Sequence, residues 1–547
     1  SNDLTESDVM VDSPTNNFAT FNPLVQGGAD VLSEGNLKSL GTSSGKSYRP
    51  STIGVNSGKF YFEGVITIGT AGAIGVCIEG GSTDNSMGKD DFSWAYHTGG
   101  TTRHNDVNSS YGASYTTGDI IGAAVDIDNG TIVFSKNGAS QGSYSIVGFS
   151  PDTYFLGAGD STTGSSTGWV LNFGQDSSFA GAKTPQGNQD SNDIGDFYYA
   201  PPTDFLALCT SNLPSVDVIP SEHFNTLLYT GNGSSTHAIT NVGFTPDWVW
   251  GKQRNTARSH RLLDSVRGAG VYLASDNTNA ESSASGLFKT FDSDGFTLDA
   301  ANALNQSGGT YVAWNWKLGG SAVSNTNGSA TSQVSANVDA GISIATFTLP
   351  TTATTIGHGL SKPPELIFQK GRVSGSAWWT FHKDIGNTKA IRLDSSGAAG
   401  GANSNFWNNT DPTSTVVTIG ANSGGNNSWM MYCFHSVDGY SKVGSYTGNT
   451  SSTDGTFVHC GFAVSFLLIK DTGAGNTWVL LDSKRDSINP NDTLLQPQSS
   501  AAETTGWAGQ VDFLSNGFKI RSNDNALNAA RTYIFYAIAE NPFKHTN

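Results

Sequence analysis

No stretch constrains the fold more than Gly118–Gly138, Gly-Asp-Ile-Ile-Gly-Ala-Ala-Val-Asp-Ile-Asp-Asn-Gly-Thr-Ile-Val-Phe-Ser-Lys-Asn-Gly. Ile121, Ala123, Val125 and Ile127 alternate with small or acidic residues, the period of a strand, until Asn129-Gly130. An Asn-Gly pair takes the positive backbone angles of a type I′ turn at little cost, so the spacing predicts a hairpin. With a two-residue turn, Ile127 faces Ile132 and Val125 faces Phe134, which puts the apolar side chains of both arms on one face. The other face takes Asp126, Asp128 and Val133, and a second turn is expected at Asn137-Gly138. Asp126, Asp128 and Asn129 do not make a calcium loop, because Asn129 and Gly130 arrive one position too early for the EF-hand spacing.

Gly58-Lys59-Phe60-Tyr61-Phe62-Glu63 and Ala73-Ile74-Gly75-Val76-Cys77-Ile78 are further apolar runs bounded by glycine, as in sandwich strands. In this order, Gly-Asp-x-Ile-Gly, Asp-x-Asp-x-Gly-x-Ile-x-Phe and Lys-Asn-Gly resemble the SPRY domain, the core of the B30.2 module. The aromatic strand ending in Glu63, the Ile-Gly-Val strand and the closing Trp169-Val170-Leu171-Asn172-Phe173-Gly174 also fit, so the resemblance covers about Asn17 to Phe179. It implies a concanavalin-like β-sandwich that binds protein or other ligands through its loops, with no catalytic residues to carry over.

Between two of these strands, Asp90–Tyr115 holds Trp94, Tyr96, His97, Arg103, His104, Tyr111 and Tyr115. Aromatic rings beside hydrogen-bonding groups suit sugar or protein recognition, so these seven residues are the candidate ligand-binding set. The competing reading is that the rings brace a long loop or complete the core.

At 547 residues the chain is too long for one core. Charged residues are 14% of it while aromatics are 11%, which favours many short strands joined by polar turns over disorder. A net charge of −17 with scattered Lys and Arg excludes a nucleic-acid backbone as an expected partner. Cys77, Cys209, Cys433 and Cys460 form no CxxC pair and are expected as buried free thiols. No apolar stretch approaches the roughly 20 residues of a membrane-crossing helix, so no membrane insertion is expected.

From Tyr229 the chain repeats several unlike motifs in order. Trp248-Val249-Trp250-Gly251-Lys252 corresponds to Leu366-Ile367-Phe368-Gln369-Lys370 and to Phe466-Leu467-Leu468-Ile469-Lys470. A second strand follows at Ser259–Asp264, Ala377–His382 and Thr477–Asp482, and each copy closes on an aromatic strand: Tyr311–Trp316, Trp429–Phe434 and Tyr533–Tyr536. Asp264-Ser265-Val266-Arg267 and Asp482-Ser483-Lys484-Arg485 align, with His382-Lys383-Asp384 in their place in the second copy; an Asp-held turn explains this more simply than catalysis. His237, His358 and His459 precede the buried strands but lack carboxylate or cysteine partners at ligand spacing, so no metal and no cofactor is expected.

The expected fold is all-β and multidomain: a SPRY/concanavalin-like β-sandwich followed by three repeated small β-sandwich, jelly-roll-like domains. The boundaries read 1–19 for an N-terminal arm, 20–180 for the sandwich and 181–222 for an ordered Pro/Gly/Ser-rich connector. The repeats are 223–320, 341–442 and 443–547, with a linker at 321–340, and the last two are expected to pack together. The whole arrangement resembles virion proteins of tailed bacteriophages, particularly of marine hosts, on motifs such as Phe224–Gly233, Pro246–Trp250, Pro201-Pro202 and Ala207–Thr210. That resemblance implies a tail fibre or adhesin at the virion surface, assembled in the host cytoplasm, binding a host glycan or protein receptor and other virion proteins as a homo-oligomer, by analogy a trimer. The alternative is a structural head-decoration, head-fibre or tail component. An enzyme is not expected, a polysaccharide-degrading one included.

Overall fold

A computed structural model describes residues 16–25, 30–41, 48–79, 85–149, 152–162, 166–421 and 427–545. Most of the expected N-terminal arm, residues 1–15, lies outside them. The described residues fall into two compact units, one ending at Ser215 and the other beginning at Val216.

In the first unit one antiparallel sheet runs in the order Val31–Ser33, Lys38–Leu40, Gly168–Asn172, Lys59–Ile68, Ile120–Asp126, Thr131–Lys136, Ala139–Ser145. The other runs Tyr48–Val55, Tyr154–Asp160, Gly72–Ile78, Ser93–His97, Thr101–His104, Val107–Ser110. The hairpin forms, but its register differs from the expected one. Val125 pairs with Ile132 and Ala123 with Phe134, so Ile127–Gly130 is a four-residue loop. The cause is Asp126, whose carboxylate accepts from the Asn129 backbone N–H at 3.0 Å and side-chain amide at 2.9 Å; only Gly130 is left-handed. A slip of two residues keeps every side chain on its face, so Val125, Ile132 and Phe134 are all buried. The two-residue turn with both angles positive sits instead at Asn137-Gly138.

The strands Lys59–Ile68 and Ile120–Asp126 are buried on both faces because the segment after the sandwich lies across the outer one. Phe197, Ala207 and Cys209 pack on Tyr61 and Ala124, and Phe179 packs on Val65, Ile120 and Val170. Leu206–Ala207 adds a short parallel strand beside Phe60 and Tyr61. Beneath this strap the buried Glu63 carboxylate accepts from the backbone N–H groups of Tyr198 at 2.8 Å and Tyr199 at 2.7 Å.

The second unit holds three main sheets of one strand order. In lobe I it is Phe224–Thr230, Thr310–Trp316, Trp248–Gln253, Arg261–Asp264. Lobe II has Ile342–Leu349, Asn427–Phe434, Leu366–Gly371, Trp379–His382, and lobe III has Ser441–Thr447, Thr532–Pro542, Phe462–Asp471, Trp478–Asp482. In each, the aromatic strand that comes last in the chain is inserted between the first and second. The stretch 321–340, expected as a linker, instead supplies strands Val323–Asn325 and Ser332–Asn337 that extend the sheet of lobe II.

One face of each main sheet covers its own lobe's core, around Val249 and Leu263, Ile367 and Phe381, or Leu467 and Leu481. The opposite faces of all three meet in one shared core that includes Trp248, Trp314, Trp316, Phe368, Tyr432, Phe434, Phe466 and Tyr536. This double burial is why Trp248-Val249-Trp250 and Phe466–Ile469 read as continuous apolar runs. The last two copies pack together as expected, and the first joins them in the same core. The ring stack of Trp248 on Trp316 at 3.9 Å and on Tyr432 at 4.4 Å joins lobes I and II, and Phe434 against Tyr536 at 5.0 Å joins II and III. Phe224 against Phe466 at 5.6 Å closes III onto I.

Each lobe adds a small outer sheet: His237–Ile239, Gly295–Leu298, Phe288–Asp292 in I and Phe457–His459, Gly517–Ile520, Val511–Leu514 in III. A Cβ at Gly295 would sit 1.9 Å from the carbonyl of Ile239, and one at Gly517 2.0 Å from that of Val458, which accounts for the glycine in both Asp294-Gly295-Phe296 and Asn516-Gly517-Phe518. Among the described residues the corresponding sheet of lobe II is Thr354–Gly357 and Val416–Ile419.

Candidate functional site

The segment 90–115 is not a long loop but three strands, Ser93–His97, Thr101–His104 and Val107–Ser110, at the edge of the second sandwich sheet. Asn105 and Asp106, both left-handed, turn the last hairpin. This places most of the candidate rings inward. Trp94 is 2% exposed, its indole N–H donates to the Val147 carbonyl at 3.1 Å, and its ring stacks on His104 at 4.5 Å. Tyr96 is fully buried among Tyr111, Tyr115 and Phe134, and donates its hydroxyl to the Ala113 carbonyl. Tyr115 donates to the Tyr96 carbonyl at 2.6 Å.

His97 is buried, faces the Met87 carbonyl at 3.1 Å, and burial lowers its pKa to about 4. Arg103, His104 and Tyr111 are half-buried. Arg103 donates to the Ser161 carbonyl and pairs with Asp106, His104 Nδ1 lies 3.0 Å from the Ser93 carbonyl, and the Tyr111 hydroxyl donates to the Gly142 carbonyl. All seven are thus engaged within the sandwich. Trp94, Tyr96, His97 and Tyr115 are corrected to core residues, and what this edge exposes to solvent is the strand Val107–Ser110.

Across the lobes the recurring polar residues form a closed ring of seams. Trp378 of lobe II donates its indole N–H to the carbonyl of Ala274 in lobe I at 2.8 Å; Trp478 of lobe III does the same to Arg392 of lobe II at 2.8 Å. The matching position in lobe I is His260, whose Nε2 meets the Gln496 carbonyl of lobe III at 3.1 Å while Nδ1 accepts from Trp250. The backbone repeats the cycle: Glu281 N–H to Arg372 at 2.8 Å, Ala399 N–H to Thr472 at 3.0 Å, Glu503 N–H to Arg254 at 2.8 Å.

Two seams carry the same buried ion ladder. Asp264 and Arg267 pair at 2.6 Å, Arg267 approaches Glu281, and Glu281 meets Arg372 at 2.9 Å. Asp482 and Arg485 pair at 2.6 Å, Arg485 approaches Glu503, and Glu503 meets Arg254 at 2.8 Å. Tyr432 and Trp314 then donate to Asp264 and Asp482 from the neighbouring lobes, at 3.0 and 3.1 Å. The seam between II and III has His382 and Ile385 in place of the Asp and Arg, and Ala399 and Thr472 in place of Glu and Arg. The aligned Asp-Ser motifs are therefore structural links. Lys252, Lys370 and Lys470, all buried, have pKa values lowered to about 8 by burial, and Lys370 and Lys470 cap carbonyls of the preceding lobe, Thr278 at 2.9 Å and Ser396 at 3.1 Å.

The three histidines occupy different positions. Ile239 and Val458 are equivalent, each facing a Phe of the small sheet, so His237 stands two residues before that point and His459 one after it. His237 meets Asn305 at 2.8 Å, and His358 bridges the Thr413 carbonyl and the Leu360 N–H. Among the described residues no three His, Cys, Asp or Glu gather as a metal site. The four cysteines are free and buried.

Sequence reasoning missed the outer edge of lobe II. There the helix Ser404–Trp407 occupies the stretch where lobes I and III build a third small-sheet strand. It sends Trp407 into the core and leaves Phe406 half-buried against Trp379, ring centroids 4.2 Å apart. Read in sequence, Trp378-Trp379 is one aromatic strand; only the pairing shows that Trp378 enters the seam while Trp379 faces the edge, opposite Arg392.

A family model described as a domain of unknown function (DUF7483) matches residues 219–542, and the SPRY domain model matches residues 59–155. The chain is 38% identical over 95 residues to the ATP-dependent RNA helicase DDX1 of Xenopus laevis, covering 17% of this chain and 12% of the relative. It is 34% identical over 125 residues to Ran-binding protein 9 of Xenopus laevis, covering 20% of this chain and 22% of the relative. The chain thus spans under a quarter of the length of these curated relatives. The SPRY domain of human HERC1 aligns with 28% of this chain and 96% of its own, at 21% identity and a TM-score of 0.24.

Proposed function

The chain belongs to the family of DUF7483, a domain of unknown function, and from this premise we propose that it is a non-catalytic binding protein of a tailed-phage particle, an appendage that engages a glycan or protein of the host surface. The three lobes are copies of one duplicated unit, and the SPRY domain ahead of them is a second binding module. The observation that carries this reading is the fate of the recurring ionisable groups: Asp264, Arg267, Asp482, Arg485 and His260 hold lobe to lobe, with side chains buried in the seams. Acid and base groups aimed into a solvent-fed cleft would favour an enzyme; groups consumed in seams favour a rigid scaffold that presents its edges. The closed ring also supplies within one polypeptide the threefold arrangement expected of a homotrimer, which favours a single chain as the working unit.

The test is adsorption. Fluorescently labelled full-length chain is mixed with a panel of marine bacterial isolates and their envelope fractions. Saturable retention on a subset of isolates is expected, and absence of retention on every isolate and fraction contradicts the adhesin reading. Labelling of capsid vertices or hexamers in imaged particles would instead favour the structural head-decoration reading.

A further inference from the structure

At its outer edge lobe II carries the helix Ser404–Trp407 where its neighbours carry a strand, and there two aromatic rings are left half-buried. Trp379 stands where lobe I has Arg261, whose guanidinium lies 4.5 Å from the Tyr272 ring, and where lobe III has the fully buried Val479. Trp379 is half-buried, with Phe406 tilted against one side at 41° and the Arg392 guanidinium 5.9 Å from its ring centre on the paired strand. The buried carboxylate of Asp394 holds Arg392 through two bonds, 3.1 Å to Nε and 2.7 Å to Nη2. Among the described residues neither Arg392 Nη1 nor the Trp379 indole N–H has a hydrogen-bond partner, and the Arg392 side chain is 39% exposed.

We infer that the Trp379, Phe406 and Arg392 platform is a carbohydrate site that stacks one pyranose unit of a glycan. The inference rests on the proposed binding function and deepens it. Indole and phenyl faces take the C–H face of a sugar ring, while the free N–H groups at the rim donate to its hydroxyls. Asp394 neutralises Arg392, which makes a neutral sugar a better match than a phosphate or sulfate group. Two rings and one guanidinium are also far smaller than the roughly 1,200 Å² that a specific protein interface buries.

The full-length chain is titrated with cellohexaose, mannohexaose, N-acetylchitohexaose and agarohexaose, read by saturation-transfer NMR and calorimetry. At least one is expected to bind, with Trp379→Ala weakening it about tenfold or more and Trp379→Phe, which keeps a ring, restoring most of the affinity. Arg392→Met should weaken it a few-fold, and Phe291→Ala, on lobe I, should leave it unchanged. The inference is overturned if none of the four binds, or if Trp379→Ala binds as the unmodified chain does. Retention of Trp379→Ala on cells at the unmodified level would overturn the site while leaving the adhesin reading intact; sugar binding without retention on any cell would do the reverse.

Discussion

The Trp478 indole of lobe III donates to the carbonyl of Arg392 in lobe II at 2.8 Å, the counterpart of the bond from Trp378 to Ala274. Both bonds join residues far apart in the chain, and both belong to a cycle that returns from lobe I to lobe III through His260. Trp478→Phe keeps an aromatic ring and removes this part-buried bond, at a cost of about 1–3 kcal/mol. Urea unfolding should show the whole of the second unit shifting to a lower midpoint in one transition. A loss confined to lobe III would show that the seam does not couple the lobes.

Asp482 and Arg485 are fully buried, so removing one partner leaves the other's charge unpaired. Arg485→Met is expected to destabilise the second unit by about 3–5 kcal/mol, whereas the double change Asp482→Leu with Arg485→Met should recover most of it. Denaturant midpoints of the three variants decide this.

How far the fold was legible can be judged from particular residues. Asn137-Gly138 was readable because both residues obey local turn chemistry, while Asn129-Gly130 misled because the Asp126 side chain captures the turn first. Trp94 and Tyr96 looked like recognition residues because sequence does not tell an inward ring from an outward one when a strand is buried on both sides. The common order of motifs in the lobes was legible; their closure into a ring was not, since it depends on pairings such as Arg254 with Glu503 that no local pattern encodes. The position of Trp379 is not legible in Trp378-Trp379, because only the pairing with Arg392 shows which of the two rings lies at the edge.

His358 accepts from the Leu360 N–H on Nδ1 and faces the Thr413 carbonyl through Nε2, an arrangement that only the neutral ring satisfies. Burial lowers its pKa to about 4, and burial holds His260 well below its ordinary value too. Because the folded pKa is depressed, this stability is complete above the unfolded value of about 6.5 and is lost as pH falls toward 4, at about 1.4 kcal/mol per pH unit per group. His358→Gln should flatten the slope of stability against pH between 6.5 and 4. An unchanged slope would place the acid sensitivity elsewhere.

Glu63 shows the opposite sign. Burial pushes its carboxyl up to about 7, although the Tyr199 and Tyr198 N–H groups, the Tyr61 hydroxyl and the Asn172 amide all hold it down. The stability it contributes is therefore greatest below about 4.5, falls as pH rises to about 7 and is level beyond. Relative to Glu63→Gln, which does not titrate, the first unit of the unmodified chain should lose stability across that window. Midpoints measured at pH 5, 6, 7 and 8 test this, and parallel curves for the two chains would contradict it.

The claim on which the rest stands is that three lobes share one core and unfold as one body. Scanning calorimetry of the full-length chain measures it most directly. The account predicts that the transition of the second unit has equal calorimetric and van't Hoff enthalpies, and that Trp478→Phe moves it as a whole without moving the transition of the first unit. Separate transitions for the lobes, or a calorimetric enthalpy about three times the van't Hoff value, would contradict it.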